Sequence, residues 1–146
     1  MKVSKRKGRE NLPMVRLHEA THASAMFHLG AKRLSVHVYS HPKSNGVLGM
    51  IWGGWYKWAR VHSGWERAAV YAAPSLIHDL SDGDVGYLQS FSSKDIRKAR
   101  RWLLYHKGEI MKAARKIVKM LDEDITWIDC HEAGLVSQRP ASRAGR

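Results

Sequence analysis

Apolar and small residues crowd the stretch from Met14 to Leu29, which follows Pro13 and stops at Gly30. A proline just inside the start and a glycine just past the end punctuate a helix, so the pattern predicts a first helix here. From Arg33 the period changes. Leu34, Val36 and Val38 alternate with other positions, HPKSNG interrupts, and Val47, Leu48, Met50, Ile51 and Trp52 resume the apolar run. This is the pattern of a β-hairpin or two strands of a small sheet, with Asn45-Gly46 as the turn. The aromatic-rich GGWYKWARVHSG is expected to form an irregular connection over the core. A second helix is predicted from about Trp65 to Leu80, bent where Pro74 removes a backbone donor, and it leads straight into SDGD.

A further helix is expected to begin near Asp84. Ser93 is expected to cap a helix from Lys94 to about His106, with Gly108 marking a break before Glu109 to Leu121. The segment DEDITWIDCHEAGL is expected to add one short helix. The fold class is therefore mainly α, a single compact helical domain over residues 13–132 with a small β-hairpin or sheet. Residues 1–12 are expected to be a flexible basic arm and residues 133–146 a flexible basic tail.

Composition narrows the function classes. A chain of 146 residues with 44% hydrophobic and 26% charged residues has the make-up of an ordinary globular domain. It is too short to join a protease domain to a nucleotide-driven motor. No run of about 18 apolar residues occurs, so no membrane span is expected, and MKVSKRKGRE lacks the apolar stretch of a secretory signal. The lone Cys130 forms no internal disulfide, in keeping with a reducing, cytoplasmic setting. The 25 Lys and Arg against 13 Asp and Glu leave a net charge of +12, enough to attract nucleic acid or acidic surfaces.

The first helix contains His18-Glu19-Ala20-Thr21-His22, an HExxH arrangement. Residues four apart lie on one helical face, so both imidazoles can reach one cation while Glu19 flanks the remaining coordination position as a general base. A catalytic zinc site takes three protein ligands and keeps a position for water. His28 has the spacing of a third histidine in HExxHxxGxxH, but Ala25 stands where that pattern has glycine. On an unbroken helix, a residue six beyond His22 is about 240° round and about 9 Å further along. Glu66 is a second candidate, with a solvated first-turn position as its plain alternative. Asp82 and Asp84 of SDGD are the third, with helix capping as theirs; Asp84 is preferred.

The run RLHEATHASAMFHLGAKRLSVHVYSHPKSNGVLGMIWGG resembles the protease domain of the FtsH-type ATP-dependent zinc metalloproteases, in which a helix carrying HEAGHA precedes two strands, the second with a Leu-Gly pair. RAAVYAAPSLIHDLSDGDVGYLQ is similar to that family's Ala/Gly-rich helix and the aspartate that follows it. The likeness covers roughly residues 14 to 90. It implies Zn²⁺ bound by His18, His22 and Asp84, with Glu19 as catalytic base. It also implies an extended polypeptide substrate lying along Val47, Leu48 and Gly49. The chain departs from the family in having Thr21 in place of the HEAGHA glycine and no acidic residue near Ala72 to Ile77. Neither an ATPase module nor a membrane anchor is expected alongside it. The resemblance therefore implies a stand-alone zinc endopeptidase acting on unfolded or loop segments, with any unfoldase a separate partner.

The later helices carry Lys94, Arg97, Lys98, Arg100, Arg101, Lys107, Lys112, Arg115, Lys116 and Lys119 outside an apolar stripe. Trp52, Trp55, Tyr56, Trp58 and Trp65 lie near Lys57 and Arg60, as base-stacking surfaces or as core and cleft walls. The alternative function is thus a basic module for nucleic acid or protein with a structural or inactive zinc site.

Overall fold

A computed structural model describes residues 12–39, 49–51, 53–80, 82–121 and 125–135. The chain is mainly helical with a small three-stranded antiparallel sheet. The first helix, α1, spans Leu12–His28. It ends because Gly30 takes φ +102°, the left-handed conformation that glycine adopts without a Cβ penalty, while the Leu29 and Ala31 amides close back on α1 carbonyls. Its middle is buried on every side: Ala20, Thr21, Ala23, Ser24, Ala25 and Met26 are fully shielded from solvent. A helix apolar or small all round belongs inside a fold. Here α1 lies between the sheet, the later helices and the 3₁₀ turn.

The sheet has the order β2-β1-β3, with β1 Arg33–Val38, β2 Gly49–Ile51 and β3 Ile125–Asp129. Val38 pairs with Gly49 and Val36 with Ile51 on one side of β1, and Leu34 pairs with Ile128 on the other. Leu34, Val36, Val38 and Ile128 bury the inner face. The turn at Asn45-Gly46, together with Val47, Leu48 and Trp52, lies outside the described residues, as do most of the expected arm and tail. Ala133 is buried and Leu135 packs against the core.

Several expectations are corrected. The supposed irregular connection holds a helix, α2 Trp55–Arg60, entered through Gly54 at φ +93°. A Cβ on Gly54 would come within 2.4 Å of the Arg33 carbonyl oxygen, so glycine lets the chain turn tightly over β1. The second long helix is shorter than predicted. α3 Gly64–Ala72 gives way to a 3₁₀ turn, Ala73–Leu76, because Pro74 has no amide to continue the α-helical ladder. The next helix, α4 Asp82–Leu88, starts two residues earlier than expected.

Ser92, not Ser93, caps α5 Ser93–Tyr105, its hydroxyl accepting from the Asp95 amide at 3.1 Å. The break falls at His106 rather than Gly108, which sits in the first turn of α6 Lys107–Val118. ITWID is the strand β3, not a short helix. α5 packs on α3, and α6 packs on α1, where Ser24 donates to the Ile110 carbonyl at 2.8 Å. No described helix is long and apolar enough to cross a membrane.

Candidate metal centre

His18 and His22 share a face of α1, as their spacing requires, and α4 brings Asp84 to that face from 66 residues downstream of His18. Asp84 Oδ2 lies 2.9 Å from His18 Nε2 and 3.3 Å from His22 Nε2. One ligand atom from each residue falls within 4.8 Å of the others, so the three form a group that can hold a metal ion. Two imidazole nitrogens and a carboxylate oxygen suit zinc and similar divalent ions.

The outward ring nitrogens are fixed by partners. His22 Nδ1 donates to the Val70 carbonyl at 2.7 Å, which leaves Nε2 as the ring atom that faces the site. His18 Nδ1 meets His78 Nε2 at 3.1 Å, and His78 Nδ1 contacts the Asp79 carbonyl. A carbonyl only accepts, so His78 carries its proton on Nδ1 and offers Nε2 as acceptor. His18 then donates from Nδ1, which leaves its Nε2, 2.9 Å from Asp84 Oδ2, as the ring atom that faces the site. The two rings stack, with centroids 5.0 Å apart and planes at 15°.

His78 was not singled out in the sequence. No motif spacing connects it to HExxH; the 3₁₀ turn at Pro74 places it. The only cue was a histidine just upstream of the acidic cluster that supplies Asp84.

Glu19 is 6% exposed, and among the described residues its carboxylate accepts no hydrogen bond. Burial pushes its carboxyl up to about 7, against the lowering effect of His22, with Asp84 adding to the rise. For Asp84, burial acts upward, but hydrogen bonds from His18 and His22 and their charges outweigh it and hold the carboxyl below the usual carboxylate range. For His22, burial acts downward, yet the hydrogen bond with Asp84 and the charge of Glu19 leave its affinity for a proton raised. A field that retains a proton on a buried imidazole also favours a divalent cation, which would displace that proton.

The strand β2 closes the other side of Glu19. A Cβ on Gly49 would come within 2.7 Å of Glu19 Cγ and 2.9 Å of the His37 carbonyl oxygen, so the absence of a side chain lets the strand pass directly over the carboxylate. Of the residues Val47, Leu48 and Gly49, only Gly49 is described, and it lies on an edge strand beside Glu19.

Glu66 and His28 are engaged elsewhere. Glu66 completes a capping box on α3, where its Oε1 accepts from the Ser63 amide at 2.9 Å and the Ser63 hydroxyl at 2.8 Å. His28 Nδ1 lies 2.8 Å from the Ser24 carbonyl in the last turn of α1. Asp82 opens α4. Thr21 fits without disturbing α1: it is fully buried and donates to the Leu17 carbonyl at 2.7 Å. Trp58 is a core residue whose Nε1 donates to the Leu29 carbonyl, whereas Tyr56 is exposed. Comparison with protein-family models, curated proteins and solved structures finds no match to this chain.

Proposed function

We propose that this chain is a zinc-dependent endopeptidase, a relative of the FtsH-type protease domain that its sequence resembles. The observation that carries the reading is the meeting of Asp84 with both His Nε2 atoms beside Glu19, a buried carboxylate that accepts no hydrogen bond among the described residues. A capping box accounts for Glu66, but nothing of that kind accounts for Glu19, and burying an unpaired carboxylate is costly unless the group has work to do.

His18, His22 and Asp84 would hold the ion, and His78 and the Val70 carbonyl would orient the two imidazoles. Bound zinc supplies Lewis acidity, which polarises a scissile carbonyl and acidifies water. Glu19 accepts the water proton at its carboxylate and delivers it to the leaving amine. Burial keeps bulk water from competing for that proton. The outer edge of β2, unpaired among the described residues, would offer backbone donors and acceptors to an extended peptide, giving affinity with little demand on sequence. Substrates are therefore unfolded or loop segments of polypeptide.

The test is Glu19→Gln. The variant should retain wild-type zinc content and lose cleavage of an unstructured casein-type substrate by about 10²-fold or more. Unchanged cleavage removes Glu19 as base and, with it, the proposal.

A further inference from the structure

The basic helices form a second feature that the hydrolytic site does not use. From Lys94 to Lys119, ten Lys and Arg stand against two acids, so 26 residues hold a net +8 of the chain's +12. On α5, Ala99 and Leu103 face the core, and the opposite face repeats at i, i+3, i+4 and i+7 through Lys94, Arg97, Lys98 and Arg101. All four are exposed, and none forms an ion pair with a described carboxylate. Asp95, the only acid on α5, points instead at the start of α3, where its Oδ2 lies 2.4 Å from the Cβ position of Gly64. One turn beyond Arg101 on the same side stand Leu104, 62% exposed, and Tyr105, 85% exposed.

We propose that this face of α5 binds single-stranded nucleic acid, with phosphates along the four cations and an unpaired base stacked on Tyr105. The stripe from Lys94 to Arg101 spans about 10 Å of helix. Along one strand phosphates repeat about every 3.4 Å of axis, so that length meets about four of them, and the field is matched to a polyphosphate and not to an isolated anion. Arg97 and Arg101 supply planar guanidinium forks suited to phosphate oxygens. An exposed tyrosine at the end of such a track is a stacking platform that a duplex, with its bases paired and stacked, does not use.

A lipid surface fits less well, because the apolar face of α5 is already spent on the core and only Leu104 and Tyr105 remain to insert. Nothing on the stripe singles out a sugar hydroxyl, so DNA and RNA strands are expected to bind alike. This inference stands apart from the zinc site and would survive its failure.

The test is fluorescence anisotropy of the full chain with labelled dT20 and U20 oligonucleotides across a salt series. Four phosphate contacts predict a log–log salt slope of about −2.8, or roughly 50-fold weaker binding at 200 mM than at 50 mM salt. The double substitution R97E/R101E should reduce the slope by about 1.4 and weaken binding at least about tenfold, with circular dichroism unchanged. Tyr105→Ala, an exposed position that does not risk the core, should weaken dT20 binding by about fivefold or more with no change in slope. Binding by R97E/R101E and Tyr105→Ala within twofold of wild type overturns the proposal. So does capture of phosphatidylserine vesicles without measurable binding of either oligonucleotide.

Discussion

Gly49→Ala probes the closest approach in the site. The added methyl would lie 2.7 Å from Glu19 Cγ, 3.2 Å from Glu19 Cδ and 2.9 Å from the His37 carbonyl oxygen. Carbon atoms in contact prefer about 3.5 to 4.0 Å, so the shortfall against Glu19 is close to 1 Å. The His37 carbonyl belongs to the backbone of β1, which pairs with β2 on one side and β3 on the other, and it cannot retreat without disturbing both ladders. Either Glu19 moves by about 1 Å or β2 lifts away from it.

The first outcome misplaces the base and predicts a loss of turnover of about 10²-fold. Both predict a stability loss of about 1–3 kcal/mol from overpacking. The atoms nearest the added methyl belong to Glu19 and His37 and not to the proposed ligands, so metal content should stay at the wild-type level. Steady-state cleavage of an unstructured fluorogenic protein, zinc analysis and thermal melting on the same preparation separate these effects. Turnover within twofold of wild type together with an unshifted melting temperature would refute the idea that the bare glycine sets the position of Glu19.

Other outcomes follow from the same geometry. His78→Ala should weaken zinc binding about 10- to 100-fold by freeing the His18 ring, and His78→Gln, which retains an acceptor, should recover part of the loss in a chelator competition. In the metal-free protein Glu19 titrates near 7 instead of its ordinary 4.5, so its contribution to stability is complete below pH 4.5 and is lost as pH rises through 7. The amount is roughly 3 kcal/mol, and His22, also raised, acts in the same direction. Melts of chelator-treated protein at pH 5 and pH 8.5 should show wild type losing more stability than Glu19→Gln; equal losses would contradict this.

The parts of the fold that the sequence disclosed were those with local causes. Pro13 and Gly30 bracket α1, and the alternation of Leu34, Val36 and Val38 marks β1, because one residue's conformational preference or one period of burial decides each. His18 and His22 were legible for the same reason: a spacing of four is a statement about one helix. Where tertiary packing decides, local pattern is not enough. Gly53 and Gly54 suggested a loop, yet they are glycines because Trp127 and the Arg33 carbonyl crowd them, and the chain becomes helical immediately afterwards.

ITWID carries β-branched residues, but its strand form depends on pairing with β1, about ninety residues earlier. The role of His78 needed Pro74 to tighten the chain before Asp84, a consequence of backbone geometry that no side-chain spacing reveals. Asp84 lay between the two cases. Its place at the head of a helix was visible, but its approach to His18 depends on how α4 packs.

The most direct measurement is a zinc titration of the metal-free full chain against a chromophoric chelator, run in parallel on Asp84→Ala. One tightly held zinc per wild-type chain is expected, with affinity in the variant reduced by more than the roughly 100-fold that loss of an outer-shell partner costs. Equal zinc affinity in the two proteins, or no stoichiometric zinc in either, would contradict a centre built from His18, His22 and Asp84.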